Sequence, residues 1–182
     1  MTKYIISRHA LSVDSTYPIK IGLVGSDNKD WSKTTKEIAD NVYPGWNWGI
    51  NFIARNSNNS RIDRYLFEVA DLTYMEIHDD ENLPLSLLEF GGYIGKGNLY
   101  VVADKDLYCL PLLKNCAAMH DMSNHLCTDP NQALARFIDK FNSKFSEQAL
   151  KRDKEIRDLR IKKINIEARH NPEYWRQKNE TL

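Results

Sequence analysis

Residues 71–103, DLTYMEIHDDENLPLSLLEFGGYIGKGNLYVVA, decide the fold. They begin with the apolar run Asp71 to Ile77, which gives way to the acidic stretch His78-Asp79-Asp80-Glu81-Asn82. An apolar segment from Leu83 to Ile94 follows, then Gly95-Lys96-Gly97, then a second short apolar run from Asn98 to Ala103. Short apolar runs bounded by turn residues read as strands buried on both faces. The middle segment reads as a helix with Pro84 in its first turn, where the missing N–H has no intrahelical partner to lose. Strand, helix and strand in this order form a crossover unit, because two parallel strands need a long connection to return the chain.

The same alternation extends upstream. Lys20 to Gly25 is a buried strand that opens into a loop at Gly25-Ser26-Asp27. Trp31, Ile38, Ala39 and Val42 fall at helical spacing, and Tyr43-Pro44-Gly45 stops that helix. Gly49 to Ala54 is another strand, and the polar loop Arg55 to Ser60 leads into a helix through Val69 that Ser60 is suited to cap. Residues 3–7 add a strand at an edge. The expected architecture is α/β: a three-layer sandwich with a mainly parallel sheet, flavodoxin- or Rossmann-like. Ligands of such sheets bind outside the carboxyl ends of the strands, so Gly25-Ser26, Arg55 and the loop after Ile77 are expected to face one crevice.

Downstream of Pro130 the pattern changes. Phe137, Ile138, Phe141, Phe145, Ala149, Ile156, Leu159 and Ile166 recur at three- and four-residue steps amid dense charge. Residues 130–182 are therefore read as a C-terminal helical extension, one helix or two, behind an α/β domain at 1–129. Its first part is expected to pack on the sheet. Its later part, through about Arg169, is either a solvated helix or a surface for a partner subunit. Arg152 and Lys163 interrupt its seam and argue against a long coiled coil.

Composition narrows the function classes. The 182 residues are 42% hydrophobic and 27% charged, in the ordinary globular range. Lys+Arg and Asp+Glu balance at 25 each, so no basic field points to polymeric nucleic acid or an anionic membrane. No stretch is long and apolar enough to span a bilayer, and the run after Met1 is too short for a signal peptide. Cys109, Cys116 and Cys127 are odd in number and have no CxxC spacing, which fits a reducing, cytoplasmic setting.

Glu89 is the sharpest candidate for chemistry. It sits among Leu85, Leu87, Leu88 and Phe90 and is followed at once by Gly91-Gly92. Partial burial tunes a carboxylate toward a nucleophile or a general acid/base, and paired glycines allow a ligand or another backbone to approach. A solvent-facing helix glutamate is the plainer alternative. Glu76 either reaches the crevice or stands at a solvated edge. Asp79, Asp80 and Glu81 lack the spacing of a calcium loop and read as a solvated turn. His78, His120 and His125 join no HxxxH or CxxC pattern, so zinc is not expected. Arg55 is placed either to hold a phosphate or to form a surface salt bridge. Trp46 and Trp48 either wall the pocket or pack in the core.

Ile21-Gly22-Leu23-Val24-Gly25-Ser26, Val69-Ala70-Asp71-Leu72 and Pro84-Leu85-Ser86-Leu87-Leu88-Glu89-Phe90-Gly91 occur in that order, followed by the strand from Asn98. Over roughly residues 19–120 this set resembles the nucleoside 2-deoxyribosyltransferase-like family, in a divergent branch. The resemblance implies that Glu89 attacks the anomeric carbon of a nucleoside or nucleotide. A covalent glycosyl-enzyme forms and is resolved by a second base or by water. It implies that Asp71 helps hold the sugar or assists the departing base. It also implies that the backbone amides of Gly25 and Ser26 cradle sugar or phosphate and that the chain is a homo-oligomer. Asp27, Arg55 and Ser86 are further substrate-binding candidates, Ser86 being alternatively a structural helix serine, and no cofactor or metal is expected. The sequence departs from the family at Gly22, where an aromatic hydroxyl is frequent, and at Asn82-Leu83-Pro84, where an acidic or hydroxyl residue is usual. A non-catalytic nucleotide-binding protein and an NAD-type nucleosidase are the competing expectations.

Overall fold

The computed structural model describes residues 4–7, 19–25, 30–42, 50–54 and 69–170. The elements run β1 (Tyr4–Ser7), β2 (Ile19–Val24), α1 (Ser32–Asn41), β3 (Ile50–Ala54), β4 (Leu72–Ile77), α2 (Leu83–Ile94), β5 (Leu99–Ala103), α3 (Leu110–Met119), a 3₁₀ turn (Ser123–His125), β6 (Leu126–Cys127) and α4 (Pro130–His170). The strands form one six-stranded sheet in the order β1-β3-β2-β4-β5-β6, and every pairing is parallel. This is the α/β sandwich expected from the strand–helix alternation, with residues 4–7 at one edge. The helix expected between Ser60 and Val69 lies outside the described residues apart from its end at Val69.

The strands read as continuous apolar runs because both faces of the sheet are covered. All six residues of β4 and all five of β3 and β5 are buried. Side chains alternate across the sheet. On one face Met75, Ile77, Val101 and Ala103 pack with Phe90, Tyr93 and Ile94 of α2 and with Leu113 and Ala117 of α3. The opposite face carries Tyr74 and Tyr100 beneath α1 and the first turns of α4. There the Trp31 and Tyr74 rings meet edge-on at 6.5 Å, and Phe137 meets Tyr74 at 5.8 Å and Tyr100 at 5.7 Å, also edge-on. Such edge-to-face pairs add to simple area burial.

Two elements were not expected from the sequence: residues 104–129 contain α3 and the two-residue strand β6. Of the two alternatives for the segment after Pro130, the structure has the single helix, 41 residues long. Compact packing divides the chain at Ser143/Lys144, inside α4, into units of 1–143 and 144–182. In the first unit Ala133, Leu134, Phe137 and Phe141 of α4 are buried. In the second, the helix continues with Leu159 and Ile161 exposed. Among the described residues, no helix is long and apolar enough to cross a membrane.

Candidate functional site

In the strand order, β3 lies on one side of β2 and β4 on the other, so the chain reverses its direction of winding at β2. The crevice of such a sheet opens outside the carboxyl ends of the two strands at the reversal. Here those ends are Gly25, after β2, and His78, after β4. Gly25 stands beside the last residues of β4: a Cβ built on it would lie 3.7 Å from Cβ of Glu76 and 3.1 Å from Cζ2 of Trp31. Gly25 therefore sits where the backbone passes close under a buried indole.

A cavity of about 540 Å³ opens along this edge over β4 and β5. Its walls include Glu76, His78, Asp79, Asp104, Lys105 and Thr128. The register explains the grouping. Ile77 pairs with Ala103, so the residues that follow them, His78 and Asp104, emerge side by side. Nδ1 of His78 lies 3.0 Å from Oδ1 of Asp104, and Nε2 lies 3.2 Å from Oε2 of Glu76. The N–H of Asp79 donates to Oδ2 of Asp104 at 3.3 Å, and that of Asp104 to the carbonyl of Ile77 at 3.1 Å. Glu76 is the buried member, its side chain 8% exposed, against 40% for His78 and 47% for Asp104. A carboxylate this shielded is tolerated only with a partner, which the imidazole supplies. A neutral imidazole has one N–H, so only the imidazolium donates to both carboxylates at once.

The expected site residues separate into three groups. Gly25 stands beside the cavity through Glu76. Ser26, Asp27, Arg55, Trp46 and Trp48 lie outside the described residues. Asp71, Ser86 and Glu89 stand away from the cavity walls. Asp71 precedes β4 and is at the amino edge of the sheet. Its Oδ2 accepts the N–H of Lys20 at 2.9 Å while its own N–H donates to the Lys20 carbonyl at 2.8 Å. Asn98, at the start of β5, donates to the Ala70 carbonyl beside it at 2.9 Å. At this edge Asp71 ties the starts of β2 and β4 together.

α2 begins at the carboxyl edge and runs back toward the amino edge. Ser86 is 3% exposed and shares a helix face with Phe90 and Tyr93. Glu89 flanks that face and is half-buried, with its Oε2 sealed from solvent. It lies six residues beyond Leu83, about 9 Å down the helix at 1.5 Å per residue. α2 packs on the Met75 and Ile77 face, whereas Glu76 belongs to the Tyr74 face. The structure thus brings Glu76, His78 and Asp104 together at the crevice and holds Glu89 on the other side of the sheet.

His78 and Asp104 were not singled out as partners from sequence, although one signal was available. Asp104 follows directly on the β5 run, just as His78 follows β4, and in a parallel sheet adjacent strand ends share an edge. Among the described residues, no group of three or more His, Cys, Asp and Glu side chains is arranged to hold a metal ion. The three cysteines are free, with Cys109 and Cys127 buried.

Burial also tunes groups on the Tyr74 face. It pushes the Tyr74 hydroxyl up to about 12, with Cys127 and Glu37 adding to the rise. It raises Tyr100 as well. His125 stacks on Tyr100 at 4.2 Å and donates from Nδ1 to the Leu99 carbonyl at 2.9 Å. Burial lowers its pKa from the ordinary value, the Leu99 bond opposes the fall, and Lys140 and Arg136 add to it. Compared with known proteins, the chain matches no protein-family model and no curated protein.

Proposed function

We propose that this protein binds a nucleoside or nucleotide at the carboxyl edge of its sheet; the resemblance, and not the cavity, extends the proposal to cleavage or exchange of the N-glycosidic bond with Glu89 as nucleophile. The observation that carries the binding proposal is the closeness of Gly25 to the last residues of β4 at the reversal of strand order, beside a cavity of about 540 Å³. That volume lies in the range of small-ligand pockets. The chemistry rests on the resemblance and on the sealed, half-buried carboxylate of α2. In the first step a Glu89 oxygen bonds to the anomeric carbon as the carbon–nitrogen bond breaks. The electron pair leaves on the base, which takes up a proton from water. In the second step another base, or water, displaces the ester and returns the carboxylate.

A second reading, a non-catalytic nucleoside- or nucleotide-binding protein, is favoured by one observation: Glu89 does not line the cavity. Chromatography separates the two. Wild type, Glu89→Gln and Glu89→Ala are incubated with deoxynucleosides, their monophosphates and NAD, and free base is measured. The catalytic reading expects base from wild type and none from either variant. A melting-temperature rise with ligand but no base from wild type would establish the binding reading instead.

Self-association belongs to the same proposal. Leu85 and Leu88 of α2 and Leu112 and Met119 of α3 are exposed, which supports contact with a second copy of the chain. Light scattering after size exclusion measures it. The free cysteines support a reducing, cytoplasmic location.

A further inference from the structure

Beyond Ser143, α4 runs from Lys144 to His170 in the second compact unit, about 40 Å at 1.5 Å per residue. A helix in a protein owes most of its stability to the packing of an apolar face, not to the propensity of its residues. Leu159, by contrast, is 64% exposed on this helix. Ala149, Arg152, Ile156, Leu159, Lys163 and Ile166 follow one another at alternating steps of three and four residues. That period keeps them in one line along a helix that lies against another helix. Ile161 falls outside the line. Arg152 and Lys163 weaken the seam but do not close it. The stems of such residues cover apolar surface while their charges stay in water, and a charged seam position fixes register at a cost in stability. The seam is therefore suited to a short, reversible contact.

The positions that flank the seam decide which partner fits. Asp153 and Glu155 flank it at one level, and Arg160 and Lys162 flank it two turns further on. An acidic level and a basic level thus follow each other on one helix, which makes the flanks complementary to themselves. In two copies running in the same direction, Glu155 comes opposite Arg160 of the second copy and Lys162 opposite its Glu167. In two copies running in opposite directions, the acidic level of each comes opposite the basic level of the other. Both arrangements join unlike charges. A partner helix with uniformly acidic or uniformly basic flanks would meet like charge at one of the two levels. Flanking charges of this kind set partner choice in paired helices.

We propose that residues 149–166 of α4 are a self-association surface whose occupant is the same segment of a second copy of this chain. The two helices meet along the Ile156, Leu159 and Ile166 seam, and the alternating flanks select a copy over other helices. This surface is separate from the exposed residues of α2 and α3 and does not depend on what the sheet edge binds.

Sedimentation equilibrium of the full chain tests it with charge exchange. Arg160→Glu with Lys162→Glu makes both levels acidic, and Asp153→Lys with Glu155→Lys makes both basic. Each variant alone is expected to self-associate at least about tenfold more weakly than wild type, because several attractive pairs become repulsive together. An equal mixture of the two variants is expected to associate more tightly than either alone, a gain that a misfolded variant would not give. Lys151→Glu with Lys154→Glu makes the same charge change off the seam and is expected to leave association unchanged. Leu159→Gln removes an exposed apolar side chain, so it is expected to weaken association while the melting temperature of dilute protein stays the same. Three results overturn the inference: a wild type that stays monomeric, a charge-exchanged variant that associates as tightly as wild type, or a mixture no tighter than its parts. The second of these leaves self-association through α2 and α3 standing, and none of them touches the nucleoside reading.

Discussion

Replacing Gly25 by alanine adds one methyl group at the point where β2 leaves the sheet beneath Trp31. The new Cβ would stand 3.1 Å from Cζ2 and 3.3 Å from Cη2 of the indole. Carbon atoms settle at about 3.5–4.0 Å, so the contact is short by a few tenths of an ångström. The indole has little room to retreat. Trp31 is buried, its ring meets Tyr74 edge-on, and Tyr74 in turn meets Phe137. Overpacking of this kind costs about 1–3 kcal/mol. For a chain of this length each kcal/mol lowers the melting temperature by about 2–4 °C, giving an expected fall of about 2–12 °C. Trp31→Phe removes both clashing atoms. In a thermal-denaturation cycle the double variant should therefore be less destabilised than the two single variants added together, by about 0.5–3 kcal/mol. A melting temperature of Gly25→Ala at or above wild type, or strict additivity in the cycle, would refute the close approach of Gly25 and Trp31.

Three further outcomes follow from the Tyr74 face. Phe137→Ala empties the space between Tyr74 and Tyr100 and should cost about 3–5 kcal/mol, read as a lower urea midpoint. The pKa of His125 is lower in the folded chain than in the unfolded one, so the unfolded state binds more protons as pH falls. Its contribution to stability is complete above its ordinary value of 6.5 and is lost as pH drops below that. Melting temperatures of wild type should fall more steeply than those of His125→Asn between neutral pH and pH 5. Tyr74 has the opposite sign: its pKa is raised, so its contribution is complete below 10.0 and is lost as pH rises toward about 12. A rise of about two units corresponds to about 2–3 kcal/mol. Tyr74→Phe should remove that part of the alkaline loss of stability, measured by denaturant titration at pH 9 and pH 11.

Much of the architecture was legible because burial on both faces leaves a plain mark. Lys20 to Gly25, Asp71 to Ile77 and Asn98 to Ala103 are continuous apolar runs closed by turn residues, and Pro84 marks the first turn of α2. Helix α3 and strand β6 left weaker marks. α3 keeps Leu112 and Met119 on its exposed side, which blurs a helical stripe, and a two-residue strand has no period to detect. At the site, sequence could identify Glu76 and His78 only as separate side chains near one edge. Their connection to Asp104 depends on the register of β4 against β5, with His78 and Asp104 26 positions apart in the chain. Asp71 illustrates the reverse case. The residues around it fit a known order, but only the fold shows that it binds the Lys20 backbone at the amino edge, with Gly25 at the other.

The central claim is that Glu89 forms a bond to the sugar, and mass spectrometry of that residue tests it most directly. A 2-fluoro-substituted nucleoside slows release of the glycosyl ester, because the fluorine withdraws electrons from an oxocarbenium-like transition state. After incubation and acid quench, the account predicts the mass of one glycosyl group on the tryptic peptide 65–96, localised to Glu89 and missing in Glu89→Gln. An unmodified peptide from protein that demonstrably releases base, or a glycosyl group on another residue, would contradict it.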